Sequence, residues 1–159
     1  MSSIYVREAV ENDIETISEL VARLKMLNEE LDPHFKAVSN INEIAREYVE
    51  KAIQDENTKI LVAVDMATAD IAGIIILRVE DRVFYEPRKK AVITDFYVKA
   101  KYRRKRLGSI LLDEAIKVAK EMGAGIITAV YPAGNSIADS FYKKAGFKDF
   151  QIEKYKPLD

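Results

Sequence analysis

The chain has 159 residues, enough for one domain with a substantial core, and its 25 Lys and Arg nearly balance its 26 Asp and Glu. The net charge of −1 argues against a general nucleic-acid or membrane binder, for which a strongly basic chain is expected. There is no cysteine, which excludes disulfides, a thiolate nucleophile and cysteine metal sites.

The first part of the chain predicts one strand and two amphipathic helices. Alternation over residues 3–7 indicates the strand. Apolar residues at helical spacing predict a helix over 13–27, and a loop at 31–35 separates it from the second helix. Both predicted helix starts show the spacing of a capping box, Asn12 with Glu15 and Asn40 with Glu43.

The rest of the chain predicts a sheet with helices packed on it. The apolar runs 60–64 and 71–77 are typical of adjacent central strands covered on both faces. The other predicted elements are strands at 91–98, 126–130 and 148–155, and helices that begin after Gly108 and at Asn135. The last helix should end at Gly146 in a left-handed cap, with Phe147 folding back. This order predicts an α/β fold with a mixed sheet, in a single domain over residues 1–159.

Four consecutive cations stand between the predicted strand 91–98 and the helix that follows it. The run reads Arg103-Arg104-Lys105-Arg106-Leu107-Gly108-Ser109. Cations are unfavourable at a helix N-terminus, so a bound anion explains them; the alternative is a solvated helix start. Gly108 lacks a Cβ and lets a ligand approach the backbone closely. The pattern predicts a phosphate-bearing ligand on free backbone N–H groups.

Two segments resemble the GCN5-related N-acetyltransferases (GNAT family). Residues 98–112 are similar to motif A, Arg/Gln-x-x-Gly-x-Gly/Ala, which here reads Arg103-Arg104-Lys105-Arg106-Leu107-Gly108. Residues 135–147 resemble the motif Asn-x-x-Ala-x-x-Phe-Tyr-x-x-x-Gly-Phe, here with Asn135, Ala138, Phe141, Tyr142, Gly146 and Phe147. The likeness covers roughly residues 58–150 in motif and element order. It implies a mostly antiparallel twisted sheet, helices on both faces, and strands that splay at a cofactor cleft.

The resemblance implies acetyl-CoA, or CoA, as co-substrate and no metal. The pyrophosphate would lie on the N–H groups of about residues 104–109, and the pantetheine would pair with the strand 96–98. The implied cofactor-binding residues are Phe96, Tyr97, Val98, Arg103, Arg104, Lys105, Arg106, Leu107, Gly108, Ser109, Asn135 and Tyr142. Asn135 also fits a helix N-cap. Arg106 replaces the first glycine of the motif, and its side chain fits there if φ stays negative.

Tyr142 matches the general acid of the family, which protonates the departing CoA thiolate. The alternative is an aromatic residue of the core. The general base is open between a carboxylate and a water. Asp95 is the candidate carboxylate, although strand alternation puts it on the opposite face from Thr94 unless a bulge turns it. Asp95 would otherwise orient a water, bind the substrate amine or hold the strand end.

The predicted function is transfer of an acetyl group from acetyl-CoA to a primary amine. In this family the loop between the first two helices often lines the acceptor site, which makes Asp32, His34 and Phe35 candidates for substrate binding; a lone loop histidine is usually solvated. Residues 82–90 are either the opposing wall or a solvated hairpin. The alternative function is a non-catalytic module that binds CoA or another phosphate ligand.

We expect an amine substrate and neither a nucleic-acid nor a membrane partner. Relatives are often dimers, so a homodimer is an open alternative. The start of the chain carries no long apolar stretch, which predicts neither a signal peptide nor a membrane span. Together with the absence of cysteine, this makes the cytoplasm the expected location.

Overall fold

The computed structural model of the protein describes residues 3–103 and 106–159. Its strands are β1 (Ile4–Glu8), β2 (Thr58–Asp65), β3 (Ile71–Asp81), β4 (Lys89–Val98) and β5 (Ile126–Ala129). Its helices are α1 (Ile14–Asn28), α2 (Ile41–Gln54), α3 (Leu107–Glu121) and α4 (Ser136–Lys144). Short 3₁₀ turns lie at Glu11–Asp13, Pro33–Phe35 and Ala100–Tyr102. Within the described residues, no helix is both long enough and apolar enough to cross a membrane.

The described strands form one sheet in the order β1-β2-β3-β4-β5. The first three pairings are antiparallel, and β4 pairs with β5 in parallel. One core cluster joins α1 and α2 to one face of the sheet, and a second joins α3 and α4 to the other. Because β2 and β3 are covered on both faces, their sequences are nearly continuous apolar runs. The predicted mixed α/β sheet with helices on both faces is confirmed.

The first turn of α3 lies close against β3 at Gly73. A Cβ at Gly73 would stand 3.0 Å from Leu107 Cδ2 and 3.0 Å from the Tyr97 carbonyl oxygen. Gly73 is paired with Val98, the last residue of β4. This close approach therefore places the start of α3 beside the end of β4.

A β-bulge interrupts β4 before its last residues. Asp95 pairs with Ile76 and Ile93 pairs with Leu77, so Thr94 is the extra residue. The parallel pairing with β5 ends at Ile93, opposite Ala129. Beyond that point β4 continues to Val98 while β5 has ended, which gives the predicted splay of the two strands.

The predicted final strand at 148–155 is wrong. Residues 147–159 form neither helix nor strand. The segment is held by side chains instead: Phe150 lies against Arg82, and the Tyr155 hydroxyl donates to Asp32. Alternating side chains make an extended chain favourable, but a strand also needs a backbone partner, and the described residues supply none here.

The predicted capping boxes are also wrong. Helix α1 begins at Ile14, and its N-cap position is Asp13 rather than Asn12. The Asp13 carboxylate accepts from the Val10 N–H at 2.8 Å and pairs with Arg7 on β1 at 2.6 Å. The hydrogen bond from the Arg7 side chain lowers the pKa of Asp13. Asn40 is the N-cap of α2, but its side chain makes no capping hydrogen bond.

The predicted end of the last helix is confirmed. Gly146 has a φ of +92°. The Phe147 N–H donates to the Tyr142 carbonyl at 2.9 Å, so the chain folds back over the last turn of α4. The Phe147 ring consequently lies 5.0 Å from that of Tyr142, between ring centroids.

Candidate active site

The edge of β4 beyond the end of β5 presents backbone groups that no described strand pairs. The Lys99 N–H donates to the Ala72 carbonyl at 2.9 Å, so Lys99 faces β3. Alternate residues of an antiparallel pair face the partner strand, and the N–H and C=O of Phe96 and Val98 therefore face the opposite edge. Arg103 Nε donates to the Val98 carbonyl at 3.0 Å on this edge. An extended ligand can add here as a further strand.

Tyr97 is placed differently from its two neighbours. Its backbone faces β3 by the same alternation, and its ring is buried on the face covered by α1 and α2. The Arg103 guanidinium lies 5.6 Å from the centroid of this ring. The open edge thus consists of the Phe96 and Val98 backbone.

The N-terminus of α3 supplies donors next to this edge. The first helical hydrogen bond runs from the Ile110 N–H to the Arg106 carbonyl at 3.2 Å. The N–H groups of Leu107, Gly108 and Ser109 precede that bond and point out of the helix with the positive end of its dipole. The Leu107 side chain is fully buried and anchors this turn in the core. Arg104 and Lys105, two of the predicted cofactor-binding residues, lie outside the described residues.

Arg106 adopts a left-handed backbone, with φ +58° and ψ +19°. The condition given above for fitting a side chain at this position, a negative φ, is therefore not met. The turn thus has the backbone conformation that favours glycine, although an arginine stands there.

Replacing Arg106 with glycine should stabilise the protein by about 0.5–1 kcal/mol. Glycine removes the energetic cost of the left-handed backbone, and the greater conformational entropy of glycine in the unfolded chain offsets part of that gain. Arg106→Ala keeps the penalty and should bring no gain. Denaturant unfolding of both variants measures the difference. A less stable Arg106→Gly variant would contradict this account of the turn.

Three elements meet at the Phe96 side chain. A Cβ on Gly108 would lie 3.7 Å from Phe96 Cζ and 3.4 Å from Phe141 Cε1, which is ordinary contact. The rings of Phe96 and Phe141 pack edge to face with centroids 5.5 Å apart. The open edge of β4, the start of α3 and the inner face of α4 are therefore fixed relative to one another by packing.

Tyr142 lies on the inner face of α4, 6% exposed, with its ring 6.3 Å from Phe96 and stacked on Tyr131 at 5.5 Å between centroids. Its hydroxyl forms no hydrogen bond with any described residue, and it is not among the fully enclosed polar atoms. The Tyr142 ring thus lies beside Phe96, whose backbone belongs to the open edge of β4. Burial, and to a lesser extent Tyr131, raise the pKa of Tyr142, so the phenol stays protonated at neutral pH.

Asn135 caps α4, because its side chain accepts from the Ala138 N–H at 3.0 Å. This confirms the N-cap interpretation. The preceding residue, Gly134, lies against Leu31, since a Cβ on it would stand 3.5 Å from the Leu31 carbonyl oxygen. The loop after α1 and the loop before α4 are thus neighbours.

Asp95 is buried on the face of the sheet covered by α1 and α2. The bulge turns Thr94 toward the same carboxylate: Thr94 Oγ1 donates to Asp95 Oδ2 at 2.8 Å. The Tyr48 hydroxyl also donates to Oδ2, and Lys25 Nζ lies 2.7 Å from Oδ1. Burial and the Asp95 charge raise the pKa of Tyr48, which keeps this phenol a donor. The carboxylate is therefore held by one donor from α2, one donor from the bulge and the ammonium of Lys25 on α1.

The predicted substrate-binding residues lie in the 3₁₀ turn after α1. The Asp32 carboxylate accepts from the His34 N–H at 2.8 Å and from the Tyr155 hydroxyl at 3.0 Å. The backbone hydrogen bond from His34 is the main cause that lowers the pKa of Asp32. The His34 ring lies 4.8 Å from that of Tyr155, and Phe35 is 45% exposed. Asp32 and His34 are brought together with Tyr155, whereas no described contact joins them to Asp95 or Tyr142.

Residues 82–88 form a solvated hairpin tip rather than a wall of this site. Val83, Phe84 and Tyr85 are each well over half exposed. The tip adjoins Lys89, the first residue of β4, which is roughly 20 Å from Asp95 at strand spacing. It therefore lies at the far end of the strand.

Sequence reasoning missed three residues next to the candidate site residues: Lys25 and Tyr48 contact Asp95, and Tyr131 stacks on Tyr142. Each lies in or next to an apolar sequence pattern that packing in the core accounts for. Lys25 and Asp95 are far apart in the chain, and only the bulge in β4 makes their contact possible. Within the described residues, no group of three or more His, Asp or Glu side chains is placed to hold a metal ion.

The sequence profile of the Acetyltransferase (GNAT) family matches residues 24–147. The chain belongs to this family, whose members are acyltransferases that act on amines. Over 121 residues it is 31% identical to Spermidine N(1)-acetyltransferase of Thermoplasma acidophilum, covering 72% of this chain and 66% of that protein. The chain thus spans just under two thirds of the length of this curated relative.

Solved structures show the same fold. The tetramutant of the BH1408 protein from Bacillus halodurans superposes with a TM-score of 0.85 at 20% identity, over 97% of this chain and 99% of that one. A structure described as a predicted acetyltransferase with acetyl-CoA, from Clostridium acetobutylicum, gives 0.77 at 18% identity, over 99% and 96%. The arrangement of sheet and helices is therefore that of the GNAT fold.

Proposed function

We propose that the protein transfers an acetyl group from acetyl-CoA to a primary amine of a small molecule or peptide, by direct attack of the amine on the thioester. The observation that carries this proposal is the convergence at Phe96 of an open strand edge, a helix N-terminus and the ring of Tyr142. Each supplies one part of the chemistry, and packing holds them in fixed positions.

The chain's own groups would hold acetyl-CoA in two places. The N–H groups of residues 107–109 are suited to a pyrophosphate, because they have no backbone partner among the described residues and carry the positive end of the helix dipole. The Phe96 and Val98 backbone is suited to the amide groups of the pantetheine arm, as an added strand. A backbone N–H on that edge would also polarise the thioester carbonyl and stabilise negative charge on its oxygen. The solved Clostridium acetobutylicum structure with acetyl-CoA supports this donor for the fold.

Two side chains would move protons. The Tyr142 phenol, kept protonated by burial, would donate to the sulfur as the carbon–sulfur bond breaks. Asp95, at the mouth of the splay, would accept a proton from the amine, either directly or through a water. The two residues lie on opposite faces of the sheet. Asp95 would therefore approach the amine from one side of the cleft, and Tyr142 would approach the sulfur from the other.

Calorimetry with acetyl-CoA, followed by a thiol-release assay, tests the proposal. The amine panel contains spermidine, amino acids, an aminoglycoside and a peptide with a free N-terminus. Spermidine is the first acceptor to test, because of the name of the Thermoplasma acidophilum relative. We expect micromolar binding of acetyl-CoA and thiol release with at least one amine. No binding of acetyl-CoA at high micromolar concentration would sink the proposal.

A non-catalytic module that binds CoA is the second candidate function. The ion pair of Asp95 with Lys25 favours it, because the Lys25 ammonium stands at the oxygen that a substrate amine would have to reach. Tight CoA binding without thiol release for any amine of the panel would select this alternative.

A further inference from the structure

The ion pair between Lys25 and Asp95 is unequal. The Asp95 side chain is completely buried, whereas that of Lys25 is 40% exposed. A buried carboxylate needs a counter-charge, but a lysine at the surface can reach water with little loss. Lys25 is therefore the partner that can leave.

The two oxygens of Asp95 are treated differently. Oδ2 accepts hydrogen bonds from the Tyr48 hydroxyl and Thr94 Oγ1, both neutral donors that belong to the folded core. Oδ1 is fully enclosed and accepts no hydrogen bond of ordinary geometry from the described residues, although the Lys25 ammonium is 2.7 Å away. The protein thus fixes one oxygen and leaves the other to an ammonium that is close but poorly aligned.

The position of this oxygen matters for the reaction. Asp95 lies two residues beyond Ile93, where pairing between β4 and β5 ends, and one residue before Phe96 at the open edge. Lys25 belongs to the last turn of α1, shortly before the loop that contacts Gly134. The Lys25 ammonium therefore lies near the point where β4 and β5 cease to pair, on the face of the sheet opposite Tyr142.

We infer that Lys25 occupies the position on Asp95 Oδ1 that the ammonium of the acceptor takes, so the acceptor binds by displacing Lys25. This inference rests on the proposed function and deepens it: the acceptor is selected as a primary alkylammonium ion. After displacement, one proton of the ammonium passes to Oδ1 and later to solvent. The neutral amine attacks the thioester carbon, the carbon–sulfur bond breaks, and the thiolate takes its proton from Tyr142, which is reprotonated with the second proton lost by the nitrogen.

A rescue experiment tests the subsite without any enzymatic activity. Lys25→Met leaves the buried carboxylate without a counter-charge and should lower Tm. In this variant, n-butylammonium chloride at tens of millimolar should raise Tm by about 2–4 °C relative to tetramethylammonium chloride, which has no N–H donor. Wild type and Lys51→Met should show a smaller rise, because Lys25 competes with the added ammonium, and the double variant Lys25→Met with Asp95→Asn should show none; Lys51 is exposed on α2 and its side chain forms no hydrogen bond or ion pair with the described residues. Equal Tm values in the two salts for Lys25→Met would overturn the inference.

Acceptor binding supplies the second measurement. Spermidine should bind CoA-loaded Lys25→Met about fivefold more tightly than CoA-loaded wild type, equivalent to about 1 kcal/mol. Lys25→Arg keeps a competing cation and should stay near wild type. If Lys25 only supports the fold, Lys25→Met will bind spermidine no better than wild type, and the inference is wrong. If Lys25→Met unfolds, Lys25→Gln replaces it in both experiments. A failure of the proposed function is seen separately, as absent binding or turnover of acetyl-CoA in wild type.

Discussion

Tyr142→Phe should lower kcat by about 10²–10³-fold while the Kd for CoA stays within about twofold. The substitution removes only the hydroxyl, which forms no hydrogen bond with any described residue, so packing and stability should change little. The ring keeps its contacts with Phe96, Tyr131 and Phe147. Steady-state thiol release and calorimetry measure the two quantities.

Tyr131→Phe is the matched control for this prediction. It removes a second phenol from the same stacked pair, but one whose hydroxyl donates to Asp139 at 2.9 Å on the outer side of the pair. Its kcat should stay within about fivefold of wild type. A Tyr142→Phe variant that is as active as this control would remove Tyr142 from the chemistry.

The pH profile gives an independent check on Tyr142. Burial raises the pKa of this phenol above the ordinary value of about 10. The acid is then protonated throughout the neutral range, and kcat should show no alkaline decline below about pH 10. A decline near pH 8 that disappears in Tyr142→Phe would contradict the assignment.

Asp95→Asn should lower kcat/KM for the amine by at least about 10²-fold, because the amide can neither take a proton nor attract an ammonium. The amide oxygen can still accept from Tyr48 and Thr94, and Lys25 can turn to solvent, so Tm should change little. The Kd for CoA should be unaffected, since Asp95 lies on the other face of the sheet from α3.

Asp113→Asn makes the same change of charge at an exposed position on α3 and controls for long-range electrostatics. It should leave kcat/KM near the wild-type value. An Asp95→Asn variant with wild-type kcat/KM would show that a water or another group takes the proton, and would also count against an ammonium site on Asp95.

The elements of the fold could largely be predicted because their signals are local. The apolar runs of β2 and β3 reflect burial on both faces, and the left-handed Gly146 reflects a backbone that other residues adopt only under strain. The failures arose where a distant residue intervenes. The N-cap of α1 is Asp13, which pairs with Arg7 on β1, and the segment 148–155 has the alternation of a strand without a backbone partner among the described residues.

The candidate site likewise has one part with local sequence signals and one part that depends on distant residues. The proposed cofactor half could be predicted from the sequence by itself, because the cation run, Gly108, Asn135 and Tyr142 lie in two short motifs whose chemistry depends on helix ends and strand ends close in the chain. Only the tertiary structure decided the acceptor half. One extra residue in β4 turns Thr94 and Asp95 toward the same face, and Lys25 and Tyr48 reach the carboxylate from separate helices. No spacing in the sequence records such a contact, because it depends on the register of the sheet and the packing of two helices against it.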